Sequence, residues 1–159
     1  MKTKIEISAG GIVYRKIYHL SSIIYHLQWL ICQHSQHKGW VFPKGLVGDS
    51  EKNESMENAA IREVEEEGGV KTKIINHKPV KVIYKYQWQN SPHGGVGGEK
   101  IFVNKTVYYY LMEYISGDPK NHDWEMNEAK FVTEEEIKKT LTYSSDKEAF
   151  EKIQKLGAR

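Results

Sequence analysis

Cysteine is nearly absent. The 159 residues contain one, Cys32, so no disulfide can form within the chain, and its place in the apolar run Trp29-Leu30-Ile31-Cys32 marks a buried structural thiol, not a nucleophile. No apolar run approaches the roughly 20 residues that span a bilayer, and the N-terminal Met1-Lys-Thr-Lys-Ile-Glu-Ile lacks the apolar core of a signal segment. These absences predict a soluble, cytoplasmic protein with no membrane partner. An excess of charge of one sign is missing too: 23 Lys and Arg against 21 Asp and Glu leave a formal +2, which gives no sign of a polybasic surface and predicts no stable nucleic-acid partner. No linker, repeat or low-complexity tract divides the chain. Residues 1–159 therefore read as one domain, large enough to bury a core without disulfides or structural metal, and the oligomeric state stays open.

What is present is mostly strand. Ile5 and Ile7 alternate with polar residues and Gly10-Gly11 interrupts before Ile12-Val13-Tyr14, which predicts a strand over 4–14 with a bulge or close packing at the glycines. A second strand is expected over 21–33, its later part at the centre of a sheet because the apolar run is too continuous for a half-exposed strand. Trp40-Val41-Phe42 is a short strand stopped by Pro43. Residues 71–75 and 80–88 read as strands, 89–99 as a long glycine-rich hairpin tip containing His93, 101–115 as its return strand and 128–132 as one more. Two capping boxes, Thr133-Glu-Glu-Glu136 and Ser145-Asp-Lys-Glu148, each start a helix, the last with Ala149, Phe150, Ile153 and Leu156 on one side. The expected architecture is a mixed sheet with helices on its faces.

The stretch Gly45 to Val70 carries the chemistry. A glycine-bearing loop opens a helix expected from Met56 to about Glu67, with Ser55 as N-cap and Gly68-Gly69 as the stop. At about 100° per residue, Glu63 and Glu67 fall on the flank that Met56, Ala60 and Val64 mark as inward, and Glu66 borders it; Asn58, Glu65 and Arg62 point toward solvent or a neighbouring loop. Like charges four apart cost roughly 0.2–0.5 kcal/mol, and each acid in the last turn opposes the helix dipole by about 0.3–1 kcal/mol. A solvated face would not put carboxylates on the inward flank. A divalent cation would offset their repulsion. Oxygen ligands without a thiolate favour Mg²⁺ or Mn²⁺ over zinc, and Mg²⁺ prefers few protein ligands plus phosphate oxygens, which points to a polyphosphate substrate.

These residues resemble the signature of the Nudix hydrolases, G-x5-E-x7-R-E-U-x-E-E-x-G-U with U bulky and apolar. Glu54, seven residues, then Arg62-Glu63-Val64-x-Glu66-Glu67-x-Gly69-Val70 fit it throughout. The first glycine aligns with Gly45 of Pro43-Lys44-Gly45, which leaves eight residues before Glu54, three more than the pattern; Gly48 has the right count without the Pro-Lys context. The resemblance implies the family's α/β/α sandwich around a mixed sheet, and metal-dependent hydrolysis of a nucleoside diphosphate linked to another group. It implies Glu66 and Glu67 as principal metal ligands, Glu63 as a ligand or the base that activates water, and the Gly45 carbonyl as a further candidate ligand. Glu54 and Arg62 would support these through a fork-shaped contact. Glu125 occupies a region where many members carry another acid near the metals.

For the substrate, Lys44 stands where its ammonium could reach a phosphate. Pro-Lys-Gly looks more like the dinucleoside polyphosphate and diphosphoinositol polyphosphate branches. Tyr84 and Tyr86 on one strand, and Tyr109 within Tyr108-Tyr109-Tyr110 on its partner, offer rings for stacking on a nucleobase, against the commoner fate of sheet packing. The leading expectation is a hydrolase of a dinucleoside polyphosphate such as Ap4A. The alternatives are a house-cleaning nucleoside triphosphate pyrophosphatase, an RNA 5′-pyrophosphohydrolase, a diphosphoinositol polyphosphate hydrolase, and a catalytically silent nucleotide sensor. His34 and His37 are read as surface loop.

Overall fold

A computed structural model describes residues 2–48, 52–90 and 98–157. Eight strands form one mixed sheet: β1 (Lys2–Tyr18), β2 (Tyr25–His34), β3 (Trp40–Val41), β4 (Lys44–Leu46), β5 (Val70–Ile74), β6 (Val80–Asn90), β7 (Glu99–Gly117) and β8 (Met126–Thr133). The order β3-β2-β1-β7-β5 makes the spine, with β4 on β1, β6 on β7 and β8 on β2. β1 runs parallel to β7 from Lys2 beside Ile101 to Tyr14 beside Glu113, and the other pairings are antiparallel.

Alternation along the central strands sends side chains to two cores. Val13, Leu30 and Cys32 meet Ala59, Ala60 and Val64 of α1 (Met56–Gly68) on one face. Ile12, Tyr14, Trp29 and Ile31 meet Ile137 of α2 (Glu134–Thr140) and Phe150 and Ile153 of α3 (Ser144–Leu156) on the other. This is the mixed sheet with helices on its faces that the residues predict, and the α/β/α sandwich that the resemblance implies. At the expected glycines the chains close in: the Gly11 amide donates to the Pro43 carbonyl at 3.2 Å, and a Cβ on Gly11 would lie 2.7 Å from Val64 Cγ2. Close packing at this point lets α1 lie directly on β1.

Several boundaries differ from expectation. β1 is longer at both ends, and β2 begins at Tyr25 because the chain turns through Ser21, whose φ of 57° breaks the strand and leaves Ile23 and Ile24 exposed. β4 was not expected; it forms because the three residues after Pro43 pair with Ser8, Ala9 and Gly10. The Thr133 capping box is present in full. Ser145 does not cap α3, which starts at Ser144 after Tyr143 with no side-chain cap, and Leu156 at its end is exposed. His93 and most of the expected hairpin tip lie outside the described residues.

Candidate active site

The site is built on α1 where it crosses β4. Ser55 caps α1 by accepting the Asn58 amide at 3.1 Å, and Gly69 closes it with a left-handed φ of 74°, so the helix spans Met56–Gly68. Glu63 and Glu67 are buried on its inward flank, as the periodicity predicts, and the Glu66 side chain keeps 45% of its surface. Arg62 reaches back to the loop before the helix: Nε and Nη2 donate to the two Glu54 oxygens at 2.8 and 2.9 Å. Its Nη1 donates to Glu63 at 2.8 Å and to Glu66 at 3.2 Å. One guanidinium therefore clamps three carboxylates, and the Glu54 carboxyl sits below its usual range because it accepts both arms of the fork.

The inner carboxylates are less well compensated. Burial, only partly offset by Arg62, pushes the Glu63 carboxyl up. Glu67 accepts the Lys44 amide at 3.1 Å, yet burial, helped by the charges of Glu63 and Glu125, raises it to about 8. Gly45 lies in β4 directly against the Glu63 carboxylate, where a Cβ would collide with it. Glu125 lines the same cleft, on a turn that joins the 3₁₀ segment Pro119–Asn121 to β8.

This donor set fits a hard divalent cation. The side-chain donors are carboxylate oxygens, and a bound cation would offset the burial, and the added mutual repulsion, that push the Glu63 and Glu67 carboxyls up. Among the described residues, no group of three or more acidic, His or Cys side chains is already arranged as a metal cluster, and Arg62 is the cation the acids share.

The carboxylates form one wall of a cleft of about 1140 Å³. Lys44, Tyr84, Tyr86, Lys105 and Asp146 face it from the other elements. Burial alone would lower the Lys44 ammonium, but the charge of Asp146, followed by Tyr84 and Glu67, outweighs it and the net shift is upward. Tyr84 is half-buried at the cleft wall, and Tyr86 donates to Glu6 at 2.6 Å.

Tyr109 is not at the cleft. It is 1% exposed in the core, edge-on to Phe42, and its hydroxyl donates to Asp146 at 3.1 Å, so its ring cannot stack on a base. Asp146 itself escaped the sequence reading. An acid in the first turn of a helix is already explained by the dipole, and only the packing of α3 against β6 and β7 reveals that this one is buried. His37 is exposed in the turn after β2, as expected for surface loop, whereas His34 ends β2 and is half-buried. Their rings stack at 4.2 Å on the cleft rim, and each Nδ1 accepts a backbone amide, from Gln36 and Gly39 respectively, which places the remaining proton of each neutral ring on Nε2.

The family model of the NUDIX domain matches residues 23–153. A Mycobacterium tuberculosis (strain CDC 1551 / Oshkosh) protein bearing the name mutator MutT4 is 30% identical over 108 residues, 68% of this chain, and the chain spans only 38% of that relative's length. Among solved structures, a Caenorhabditis elegans Ap4A hydrolase binary complex superposes with a TM-score of 0.69 at 22% identity, covering 95% of this chain and 96% of that one. The NUDIX domain of Shewanella oneidensis NrtR, complexed with ADP ribose, gives 0.59 at 16% identity, covering 98% and 90%. At these identities the two structures establish a shared fold. The family match runs through the acidic helix and over most of the chain, and by it the protein belongs to the Nudix family.

Proposed function

We propose that residues 1–159 form one Nudix domain that uses Mg²⁺, with Mn²⁺ as a substitute, to hydrolyse a dinucleoside polyphosphate such as Ap4A into two nucleotides. The observation that carries this reading is the size and two-sidedness of the cleft. Its volume of about 1140 Å³ lies beyond the roughly 300–1,000 Å³ of ordinary small-molecule pockets, with an acidic wall on α1 and lysines and tyrosines facing it. Ap4A hydrolase activity in the C. elegans fold neighbour agrees with it.

In this reading Glu66, Glu67 and Glu63 hold the metal, with Glu125 and the Gly45 carbonyl as further ligands. When bound, the metal supplies charge neutralisation for phosphate oxygens and acidifies water. The chain does the rest. Arg62, locked to Glu54, fixes the Glu63 carboxylate in place, and Glu63 is a ligand or the base that takes the proton of the attacking water. Lys44 receives a phosphate, its ammonium kept charged by Asp146. Tyr84 stacks on a base.

The test is a product assay across Ap4A, nucleoside triphosphates, 5′-triphosphorylated RNA and inositol pyrophosphates with Mg²⁺ and with Mn²⁺. Ap4A should give the highest kcat/KM, and Glu67→Gln should lower Mg²⁺-dependent turnover by about 100-fold or more while keeping the fold. A higher kcat/KM for another class would reassign the substrate, and near-wild-type turnover in Glu67→Gln would remove the metal assignment.

A further inference from the structure

Beside the main cleft lies a smaller pocket of about 260 Å³ lined by His34, Ser35, Gln36, Trp124 and Glu125. It opens on the cleft through His34, Gln36 and Glu125, which line both. Trp124 is 80% exposed, a large apolar ring that the fold leaves in solvent. Its segment is nevertheless held in place. The Asp123 amide donates to the Glu66 carbonyl at the end of α1 at 2.8 Å, the Ser35 amide donates to the Glu125 carbonyl at 2.9 Å, and the Glu125 amide donates to Asp123 Oδ1 at 3.1 Å. A tryptophan exposed on a pinned backbone is a prepared platform, because little order remains to be imposed when a flat ligand lands on it.

His34 supplies a second ring. One face of its imidazole is taken by His37, which is in turn fixed by the Tyr143 hydroxyl donating to Nδ1 at 2.9 Å. Gln36 and Ser35 add polar groups at the pocket edge. In the sheet, His34 ends β2 on one side of the β1–β7 pair, while Tyr84 lies in β6 on the other side. The acids of α1, Glu63, Glu66 and Glu67, line the same cleft as His34 and Tyr84. A substrate with a base at each end and phosphates in the middle would meet an aromatic platform at both ends.

We propose that the Trp124–His34 pocket is a second base-binding subsite, taking the distal nucleoside of a dinucleoside polyphosphate while the proximal base lies at Tyr84. The inference rests on the substrate reading above and adds to it the site for the second nucleoside. A mononucleotide would be the poorer ligand because it leaves this platform empty.

The test compares binding of two uncleavable ligands in Mg²⁺, a methylene-bridged Ap4A analogue and the matching methylene-bridged adenosine 5′-tetraphosphate, by isothermal titration to the whole protein. Stacking energies predict that the second nucleoside raises wild-type affinity by about tenfold, that Trp124→Ala abolishes this preference and that Trp124→Phe keeps most of it. A preference unchanged in Trp124→Ala, or no preference in the wild type, overturns the subsite even if Ap4A is cleaved. If the Trp124-dependent preference is present but Ap4A is not hydrolysed in the product assay, the substrate reading falls and the subsite stands.

Discussion

At the scale of single residues, Glu67 has the largest measurable consequence. Burial raises its carboxyl from the ordinary 4.5 to about 8, so the folded protein binds this proton more tightly than the unfolded chain. The sign follows: the contribution to stability is fully present below about pH 4.5 and is lost as pH rises through 8. Glu67→Gln removes the ionising group. In metal-free buffer it should be more stable than wild type at pH 9 by on the order of a few kcal/mol and show no such gain at pH 4.5, as read by thermal melts. Added Mg²⁺ should narrow the gap at pH 9 by favouring the ionised wild-type site. A variant no more stable than wild type at pH 9 would mean that the carboxylate is already compensated. Residue identity was legible in part. Helical phase predicts that Glu63 and Glu67 face inward, and a fork between Arg62 and Glu54 is present as the resemblance implies. Phase along a strand is harder to fix: in Tyr108-Tyr109-Tyr110 no residue reveals which ring faces a cavity, and Tyr109 proved to be core.

At the scale of elements, the contact between β4 and α1 decides the geometry of the acids. Gly45 leaves no room for a Cβ because the Glu63 carboxylate occupies that space. In Gly45→Ala the methyl group must displace the end of a flexible side chain, which the fold tolerates and the chemistry does not. Turnover should fall about 100-fold, as for a displacement of roughly 1 Å in a reacting constellation, while the melting temperature moves by only a few degrees. Kinetics and a melt of the same preparation check both halves, and equal losses of stability and activity would make Gly45 merely structural. The helix was legible because its signals are local: an N-cap serine, a three-to-four-residue apolar spacing and a glycine stop. β4 was not, since three residues carry no periodicity and exist as a strand only through pairing with β1. For the same reason Asp146 stayed hidden. Its partners Tyr109 and Lys44 come from β7 and β4, and nothing near it in sequence announces them.

At the scale of the whole molecule, the sheet-and-helix layering follows from the continuous apolar runs of β1 and β2, which the sequence displays and which need a core on each face, whereas the strand order cannot be read from the sequence. The parallel partner of β1 is β7, about a hundred residues away: Tyr14 donates to Glu113 at 2.9 Å across 99 positions. Such a central pairing makes contact order high, which predicts single-domain folding in milliseconds to seconds, measurable by stopped-flow refolding. It also predicts that a fragment ending before residue 99 shows no cooperative melt. A microsecond folding rate or a cooperative fragment would contradict this.

The same pairing fixes the order in which the protein acquires its chemistry. A chain still emerging from synthesis already carries every acid from Glu54 to Glu67, but the strand that bears Lys105 and Tyr109 follows some thirty residues later, and Asp146 later still. Until β7 slides in beside β1, the acidic helix has no complete sheet on which to seat its inward carboxylates. An unfinished chain therefore displays the signature without the site, and a complete acidic cleft becomes a late certificate that the whole sheet has closed.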